Sequence, residues 1–364
     1  MGDRALLVTQ ADLPMPGDDR RYHRQRILPF IGDEGQRTLR SSHAMIVGVG
    51  ALGCQIADLL VRAGVGTLTF IDRDVVEATN LQRQCLFTED DAANGRPKVE
   101  AARRRLEAVN SGVSLRPVAA DFCARNASML ASEAAAASPL CVLLDGTDNF
   151  ETRYLLNDLA VQLNVPYVYG GAIGARAMAA TFRAAADAPC LRCVFPDAPA
   201  PGSQPTCDTA GVLGPAVALA ASWQAAMAMR VLVGPAPFEA VLHDEDVWEG
   251  TSRAMRMARA AECPCCGPAG RREFLHAAEA RTTLCGSEAV QVWPRNARDS
   301  MIDLKAIATR LEAAGSVSSS AMMVRFKPAE GTLELSLFAD GRAIVKGTRD
   351  EAAARAAYAK YVGA

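Results

Sequence analysis

What the sequence lacks narrows its function before any motif is considered. Its formal net charge is -2, without the basic excess that nucleic-acid-binding domains usually carry. No apolar run approaches the ~20 residues that a membrane-crossing helix needs. Residues 1–20 are polar and lack the apolar stretch of a signal peptide. We therefore expect a flexible leader over 1–20, no nucleic-acid or membrane partner, and a cytoplasmic location.

The cysteines predict a metal site. In a reducing compartment the eleven cysteines are expected to be metal ligands, reactive thiols or small core residues rather than disulfides. Four form two Cys-x-x-Cys pairs about 70 residues apart, Cys190/Cys193 and Cys263/Cys266. Four thiolates in such pairs suit a tetrahedral structural Zn²⁺. Free or redox-active thiols are the alternative, and Cys265 is open as a replacement ligand.

Apolar periodicity predicts alternating strands and helices over residues 21–267. A helical region is expected over 21–40, followed by a strand over 44–49, a helix over 52–63 and a strand over Thr67–Ile71, which together form a βαβ unit. Beyond Gly267 the composition changes, and the pattern predicts a smaller α+β region over 270–364 with helices over 302–313 and Glu351–Tyr361. We expect two domains.

The turn after the first strand, Gly48-Val49-Gly50-Ala51-Leu52-Gly53, indicates a nucleotide site. Gly48 permits the tight turn, Gly50 lets the backbone approach a phosphate, and Gly53 lets helix and sheet pack closely. The helix then presents its positive end to the phosphates. Asp72, about 20 residues on, stands where a ribose contact is required.

Basic and acidic residues around this turn favour nucleotidyl transfer over hydride transfer. Arg83 follows Asp72, Lys98 begins a helix, and Arg24 lies near the leader. Such cations neutralise charge while a carboxylate attacks the α-phosphate. Asp148 follows a strand over 140–144, at the carboxyl edge of a parallel sheet where ligands bind, whereas Asp145 is expected to be a turn residue. An NAD-dependent oxidoreductase and a non-catalytic scaffold are the alternatives from other classes.

These motifs together resemble the ThiF/MoeB family, the bacterial relatives of ubiquitin-activating enzymes. The resemblance runs from about residue 21 to 267, in the family's order, and is carried by Arg21-Tyr22-His23-Arg24-Gln25, the glycine turn, Asp72, Asn80-Leu81-Gln82-Arg83-Gln84, Lys98 and Thr147-Asp148-Asn149. It implies a Rossmann-like α/β adenylation domain with a structural zinc site, followed here by the small C-terminal α+β domain.

The resemblance also implies an activity. A homodimer would use ATP and Mg²⁺ to adenylate the C-terminal glycine of a small ubiquitin-like sulfur carrier (MoaD/ThiS-like) ending in Gly-Gly, for molybdopterin or thiamine synthesis. Asp72 would hold the ribose, Mg²⁺ would sit on Asp148, and Arg24 would reach the neighbouring subunit's site. The phosphate and nucleotide contacts would come from Gly48, Gly50, Ala51, Gly53, Asn80, Arg83, Gln84, Lys98 and Asn149. Another peptide or carrier carboxylate is the alternative substrate.

Cys207 and the tail complete the predictions. Cys207 ends a proline-rich loop over 196–205 and matches the position of the family's reactive cysteine. A rhodanese needs a cysteine that opens a short loop closed by an arginine. Cys285, the cysteine of the tail, is not followed by such an arginine, so the tail is not expected to be a rhodanese. We therefore expect a sulfur donor in trans, a cysteine desulfurase or a rhodanese. Every adenylation motif precedes Gly267, so the tail is expected to be dispensable for adenylation.

Overall fold

The computed structural model describes residues 19–137, 139, 142–182, 185, 187–199, 207–234, 239–276, 289–293 and 302–363. Residues 1–18 of the expected leader, Cys285, and parts of the loop predicted over 196–205 lie outside the described residues. The described elements build two sheets, one of eight strands and one of five.

The elements of the first sheet and its helices follow the predicted alternation. The strands are β1 His43–Val47, β2 Thr67–Ile71, β3 Ser114–Val118, β4 Val142–Asp145, β5 Tyr167–Ile173, β6 Arg176–Phe182, β7 Val241–Asp246 and β8 Thr251–Arg256. The helices are α1 His23–Arg26, α2 Gly32–Ser41, α3 Ala51–Ala63, α4 Glu89–Ala93, α5 Lys98–Val109, α6 Ala127–Ala137, α7 Phe150–Leu163, α8 Leu191–Val194, α9 Cys207–Ala210 and α10 Gly214–Val233.

The order of the strands determines where a ligand can bind. The sheet runs β3-β2-β1-β4-β5-β6-β7-β8; β3 to β5 are parallel, and β5 to β8 are antiparallel. The chain moves outward from β1 to β2 and β3, then returns to the other side of β1 for β4. This reversal opens a crevice at the carboxyl ends of β1 and β4, the usual ligand site in open α/β sheets.

Two apolar cores cover the two faces of this sheet. One joins β1 and β2 to α3, α5 and α10, and the other joins the opposite face to α6 and α7. Helices α3, α5, α6 and α7 have 11 to 14 residues, a length at which an isolated helix is marginal in water, so packing on the sheet stabilises them. The second core extends beyond the cysteine pair Cys263/Cys266 and includes Leu275, which is buried.

The expectation that no apolar run approaches membrane-spanning length is wrong for helix α10, which has 20 residues. Among the described residues it is the one helix long and apolar enough to cross a bilayer by length and composition. Its small residues pack instead against α3 and the sheet, with Ala220, Ala221 and Ala228 fully buried. It therefore has the packing of a core helix.

The tail builds the second sheet, in the order β10-β11-β12-β13-β9 with all neighbours antiparallel. Its strands are β9 Ala289–Val292, β10 Gly315–Ser319, β11 Met323–Pro328, β12 Glu334–Phe338 and β13 Ala343–Lys346. Helices α11 Leu304–Leu311 and α12 Glu351–Tyr361 cover one face and form a third core with it. The opposite face packs on the first part of the chain through Val75 and Ala119.

Candidate active site

A cavity of about 670 Å³ opens at the crevice between the carboxyl ends of β1 and β4. The glycine turn, the segment after β2, the start of α5 and the loop after β4 all contribute to its wall. Of the predicted site residues, those that line it are Gly48, Gly50, Ala51, Asp72, Arg83, Gln84, Lys98, Asp148 and Asn149. The fold thus brings together residues that are as much as 100 positions apart in the chain.

The glycine turn has the geometry that its sequence predicts. Gly48 has a φ of +88°, and a Cβ there would lie 2.6 Å from the carbonyl oxygen of Gly146. At Gly53 a Cβ would lie 1.9 Å from the Gly48 carbonyl oxygen, so this glycine serves packing and does not line the cavity. Gly50 meets only the Gly146 oxygen, at 3.9 Å, which leaves its backbone open to a ligand before α3 begins.

Asp72 ties the glycine turn to the segment after β2. Its two carboxylate oxygens accept hydrogen bonds from the backbone N–H of Val49 and of Asp74, both at 2.7 Å. Burial raises the pKa of Asp72, and the charge of Lys98 opposes that shift. The carboxylate therefore fixes the wall of the cavity as well as facing it.

Lys98 is a buried cation in this wall. Its Nζ donates to Asp74 Oδ2 at 3.2 Å, and its side chain is 9% exposed. Burial alone would lower the pKa of Lys98, but the carboxylates of Asp74 and Asp72, with Asp148, raise it. The ammonium group is thus charged at neutral pH and is held beside the glycine turn.

The segment after β2 also supplies Arg83 and Gln84. Arg83 donates to the carbonyl oxygen of Thr79 at 3.0 Å and reaches the cavity. Gln84 is buried there, and its Oε1 has no hydrogen-bond partner among the described residues, as expected of a group that meets a ligand. Asn80 does not line the cavity, because its side chain accepts from the Glu77 N–H and caps a local turn.

The loop after β4 forms the opposite wall. Asp148 is exposed and faces the cavity, and Asn149 accepts from the Thr152 N–H to cap α7. The sequence analysis missed the group beneath them, since Asp145 is not a turn residue but a buried strand end. Its carboxylate accepts from the guanidinium of Arg153 at 2.9 Å and from the Tyr167 hydroxyl at 3.0 Å.

Arg24, like Gly53 and Asn80, is not among the residues that line the cavity. Arg24 is exposed on α1, beside the C-terminal end of α3, where Gln25 donates to the Ala63 carbonyl oxygen at 3.0 Å. The 13-residue α3 is about 20 Å long, so Arg24 is far from the glycine turn of its own chain. Cys207 begins α9, but its side chain lies outside the described residues. The roles of Arg24 and Cys207 stay predictions.

The two cysteine pairs converge as the sequence predicts. The four Sγ atoms of Cys190, Cys193, Cys263 and Cys266 lie within 4.8 Å of one another. Cys190 and Cys263 are 3.5 Å apart, as are Cys193 and Cys266. Zn–S bonds of ~2.3 Å in a tetrahedron place sulfurs about 3.8 Å apart, so this cluster could hold a zinc ion.

Cys265 packs beside this cluster and has hydrogen-bond partners of its own. Its sulfur accepts a hydrogen bond from Asn157 Nδ2 at 3.3 Å, and its S–H donates one to the carboxylate of Asp158. It is buried and is not in the set of four converging sulfurs. Its contacts make it a support of the site rather than a replacement ligand.

Comparison with known families decides what this arrangement belongs to. The model described as the ThiF family matches residues 22–265, more than half of the chain. The chain belongs to the ThiF family. The match includes the glycine turn, Lys98, Asp148 and three of the four cysteines of the cluster, as the resemblance predicted.

The alignments with two curated relatives cover most of the length of those proteins. The sulfur carrier protein ThiS adenylyltransferase of Bacillus subtilis is 37% identical over 350 residues, which are 94% of this chain and 99% of that protein. The sulfur carrier protein adenylyltransferase of Thermus thermophilus is 38% identical over 252 residues, 68% and 90% of the two chains. The first similarity extends past the family domain into the tail.

A solved structure shares the ThiF-like fold. Escherichia coli MccB, solved with ATP, superimposes with a TM-score of 0.56 at 23% identity over 70% of this chain and 76% of that one. At this identity the likeness concerns the fold alone. It supports the Rossmann-like α/β architecture that the sequence predicts for the first part of the chain.

Proposed function

We propose that this ThiF family member adenylates the C-terminal glycine of a ubiquitin-like sulfur carrier (MoaD/ThiS-like) with ATP. One observation carries the proposal: a buried, charged Lys98 and the exposed Asp148 meet in a cavity that also contains the glycine turn. A cation and an aspartate on opposite sides of a phosphate-binding turn suit nucleotidyl transfer. The names of the two adenylyltransferase relatives support the carrier as substrate.

The reaction needs charge neutralisation rather than a base. A C-terminal carboxylate has a pKa of about 3.5 and is already ionised at neutral pH. One of its oxygens attacks the α-phosphorus of ATP, the bond from that phosphorus to the bridging oxygen breaks, and pyrophosphate leaves with the electron pair. Lys98 and Arg83 would hold the negative phosphates in line, and the N-terminus of α3 adds partial positive charge.

Asp148 suits the role of a Mg²⁺ ligand. Its carboxylate is exposed and faces the cavity, with a coulombic influence on Lys98 across it. Carboxylates together with phosphate oxygens are the ligands that Mg²⁺ takes in such sites. Bound there, Mg²⁺ would neutralise the departing pyrophosphate. Asp72 would hold the ribose, since its oxygens border the cavity beside the glycine turn.

The assembly and the sulfur chemistry form a second part of the proposal. Arg24 lies beside an apolar turn in which Ile27 and Phe30 are 65% and 73% exposed, and such patches mark protein interfaces. A homodimer formed there would bring Arg24 to the partner subunit's site. Cys207 would then receive the activated carrier, a sulfur donor would act in trans, and the cytoplasm would be the location.

The decisive experiment is ATP–pyrophosphate exchange with a purified carrier ending in Gly-Gly. Exchange should require Mg²⁺ and the carrier, and Asp148→Ala should lower it by at least about 100-fold while thermal unfolding stays unchanged. A carrier lacking its last glycine is the matched control and should give no exchange. Equal exchange with and without the carrier, or with the truncated one, would contradict the proposal.

A further inference from the structure

The tail sheet is not a separate appendage, because one of its faces lies against the wall of the nucleotide cavity. Phe338, Met323 and Ile344 are each less than 5% exposed and pack on Val75, with Ala119 at the edge of this cluster. Val75 directly follows the segment that carries Asp72 and Lys98's partner Asp74. The apolar contact therefore brings tail strands to the segment that borders the predicted ribose and phosphate sites.

A buried arginine of the tail binds the backbone of that segment. Arg342 is 0% exposed, and its guanidinium donates to the carbonyl oxygen of Arg73 at 2.8 Å and to that of Ala119 at 3.4 Å. Asp340 accepts from its Nε, and the ring of Phe338 lies 3.8 Å from its central carbon. A fully buried cation is expensive to desolvate, so its donors must be satisfied by these carbonyls.

A second tail residue completes a closed ring of hydrogen bonds. Gln291 donates from Nε2 to Asp121 Oδ2 at 2.7 Å and accepts from Arg342 at Oε1 at 3.4 Å. The other oxygen of Asp121 accepts from the Arg73 guanidinium at 3.1 Å. Arg73 and Asp121 both line the cavity, so two tail residues hold two residues of its wall.

The position of Arg73 matters because it stands between the two carboxylates that shape the site. Asp72 accepts from the Val49 N–H of the glycine turn, and Asp74 pairs with Lys98. Arg342 also contributes to the lowered pKa of Asp74, whose carboxylate is otherwise penalised by burial. A shift of the Arg73 carbonyl would thus move Asp72 and Asp74, and with them their contacts to the glycine turn and to Lys98.

We propose that Arg342 and Gln291 are positioning residues for nucleotide binding: the C-terminal sheet holds the Asp72–Asp74 segment and Asp121 in the geometry that binds ATP. The inference rests on the proposed adenylation function and deepens it. It replaces the expectation that the tail is dispensable for that step. The chemistry itself stays with residues of the first part of the chain.

The test compares full-length variants of matched type. Arg342→Met and Gln291→Leu remove the hydrogen bonds to the cavity wall and keep the side-chain volume. Arg325→Met is the control, because Arg325 also joins the tail to the first part, but the residue that it contacts there, Ala93, does not line the cavity. The dissociation constant for ATP is measured directly by calorimetry, without a carrier.

We expect Arg342→Met and Gln291→Leu to raise the dissociation constant for ATP at least tenfold. In ATP–pyrophosphate exchange, they should raise the KM for ATP more than they lower kcat. The control should stay within twofold of wild type. Faster hydrogen exchange of residues 72–76 in Gln291→Leu would locate the effect, and this variant serves if Arg342→Met does not fold. Wild-type affinity and hydrogen exchange in a folded variant would overturn the inference.

The two proposals fail in different ways. If the wild-type chain binds ATP but gives no ATP–pyrophosphate exchange with any Gly-Gly carrier, the proposed function is contradicted. The comparison of ATP affinities still decides the role of the tail. Conversely, normal exchange in wild type together with unaltered ATP binding in Arg342→Met and Gln291→Leu refutes only the inference about the tail.

Discussion

At the scale of single residues, a buried ion pair beneath the cavity organises the loop that bears Asp148. Arg153 is 7% exposed and pairs with Asp145, which is fully buried. Its guanidinium also donates to the carbonyl oxygens of Thr147 and Gly170. Each of these bonds is made to a group that would otherwise be an unpaired buried acceptor. The pair therefore fixes the backbone of the residue that precedes Asp148 and of the neighbouring strand β5.

Removing one partner of this pair should be costly. Arg153→Ala leaves a buried carboxylate without its cation, and we expect a loss of about 3–5 kcal/mol in the free energy of unfolding. Urea unfolding of the zinc-loaded protein measures it. Arg62→Ala, which breaks the exposed pair with Asp58, is the control and should change stability by at most about 1 kcal/mol. Equal effects of the two variants would contradict the assigned role.

Lys98 should determine how stability depends on pH. Without its charge, the pKa of Asp72, already raised by burial, should rise further, and the pKa of Asp74 should rise from its lowered position. A raised folded-state pKa contributes stability at low pH that is lost as pH rises through it. In wild type, Asp74 instead has a lowered pKa, so its contribution is kept above pH ~4 and lost only on acidification.

We therefore expect Lys98→Met to destabilise the protein more at pH 7.5 than at pH 5. The measurement is the difference in unfolding free energy between variant and wild type at the two pH values. Arg103→Met, on the same helix but in an exposed pair with Glu107, is the matched control and should give a difference that does not change with pH. The same behaviour for Lys98→Met would mean that its ammonium does not compensate the two carboxylates.

At the scale of elements, the cysteine cluster joins two distant segments. Cys190 caps helix α8 and Cys193 lies within it, and the turn after β8 carries the other pair, so a metal would cross-link the chain there. The cluster also packs beside Val161 of α7. Metal binding at such a site is coupled to folding, since the unfolded chain does not hold the four thiolates together.

We predict about one Zn²⁺ per chain, measured by elemental analysis. Cys190→Ser should lower the metal content and the melting temperature together, because a tetrahedral site is left with three sulfur ligands. Cys265→Ser removes a neighbouring thiol that bonds to Asn157 and Asp158, and it should keep the metal. Loss of metal in both variants would make Cys265 a ligand.

Local patterns were enough to predict most elements but not their long-range contacts. The strand Thr67–Ile71 and the helix Glu351–Tyr361 have the predicted bounds, and a helix begins at Lys98 as predicted, because apolar spacing and ends are encoded within each segment. The helical region predicted over 21–40 is instead broken by a turn over residues 27–31, and Gly32, at φ +58°, begins α2. Strand β10 was missed, since its exposed serines carry no apolar alternation.

The candidate site divides in the same way. Asp72, Lys98 and Asp148 could be found from motifs, because each follows or begins an element of the βαβ pattern. Asp145 could not, since only the folded structure brings Arg153 and Tyr167 to it. Nor could the contact of Arg342 with Arg73, because no local signal marks which residue a tail hairpin will meet.

At the scale of the whole molecule, the predicted homodimer explains why Arg24 stands apart from its own cavity. Arg24→Ala and Asp148→Ala should each abolish most exchange activity. Mixed subunits should recover activity, because a heterodimer contains one site with both residues intact. The control is each variant refolded alone through the same procedure. A verified heterodimer without recovered exchange would place Arg24 outside the partner's site.

The bond between Arg342 and Arg73 joins residues 269 positions apart in the sequence. During synthesis, at about 5–20 residues per second, the segment after β2 leaves the ribosome well before its partner exists. Contacts of such long separation also form late in folding, because a large loop must close first. The wall of the cavity is therefore completed only after residue 342 has been made, so a nascent chain that has not reached this residue lacks it.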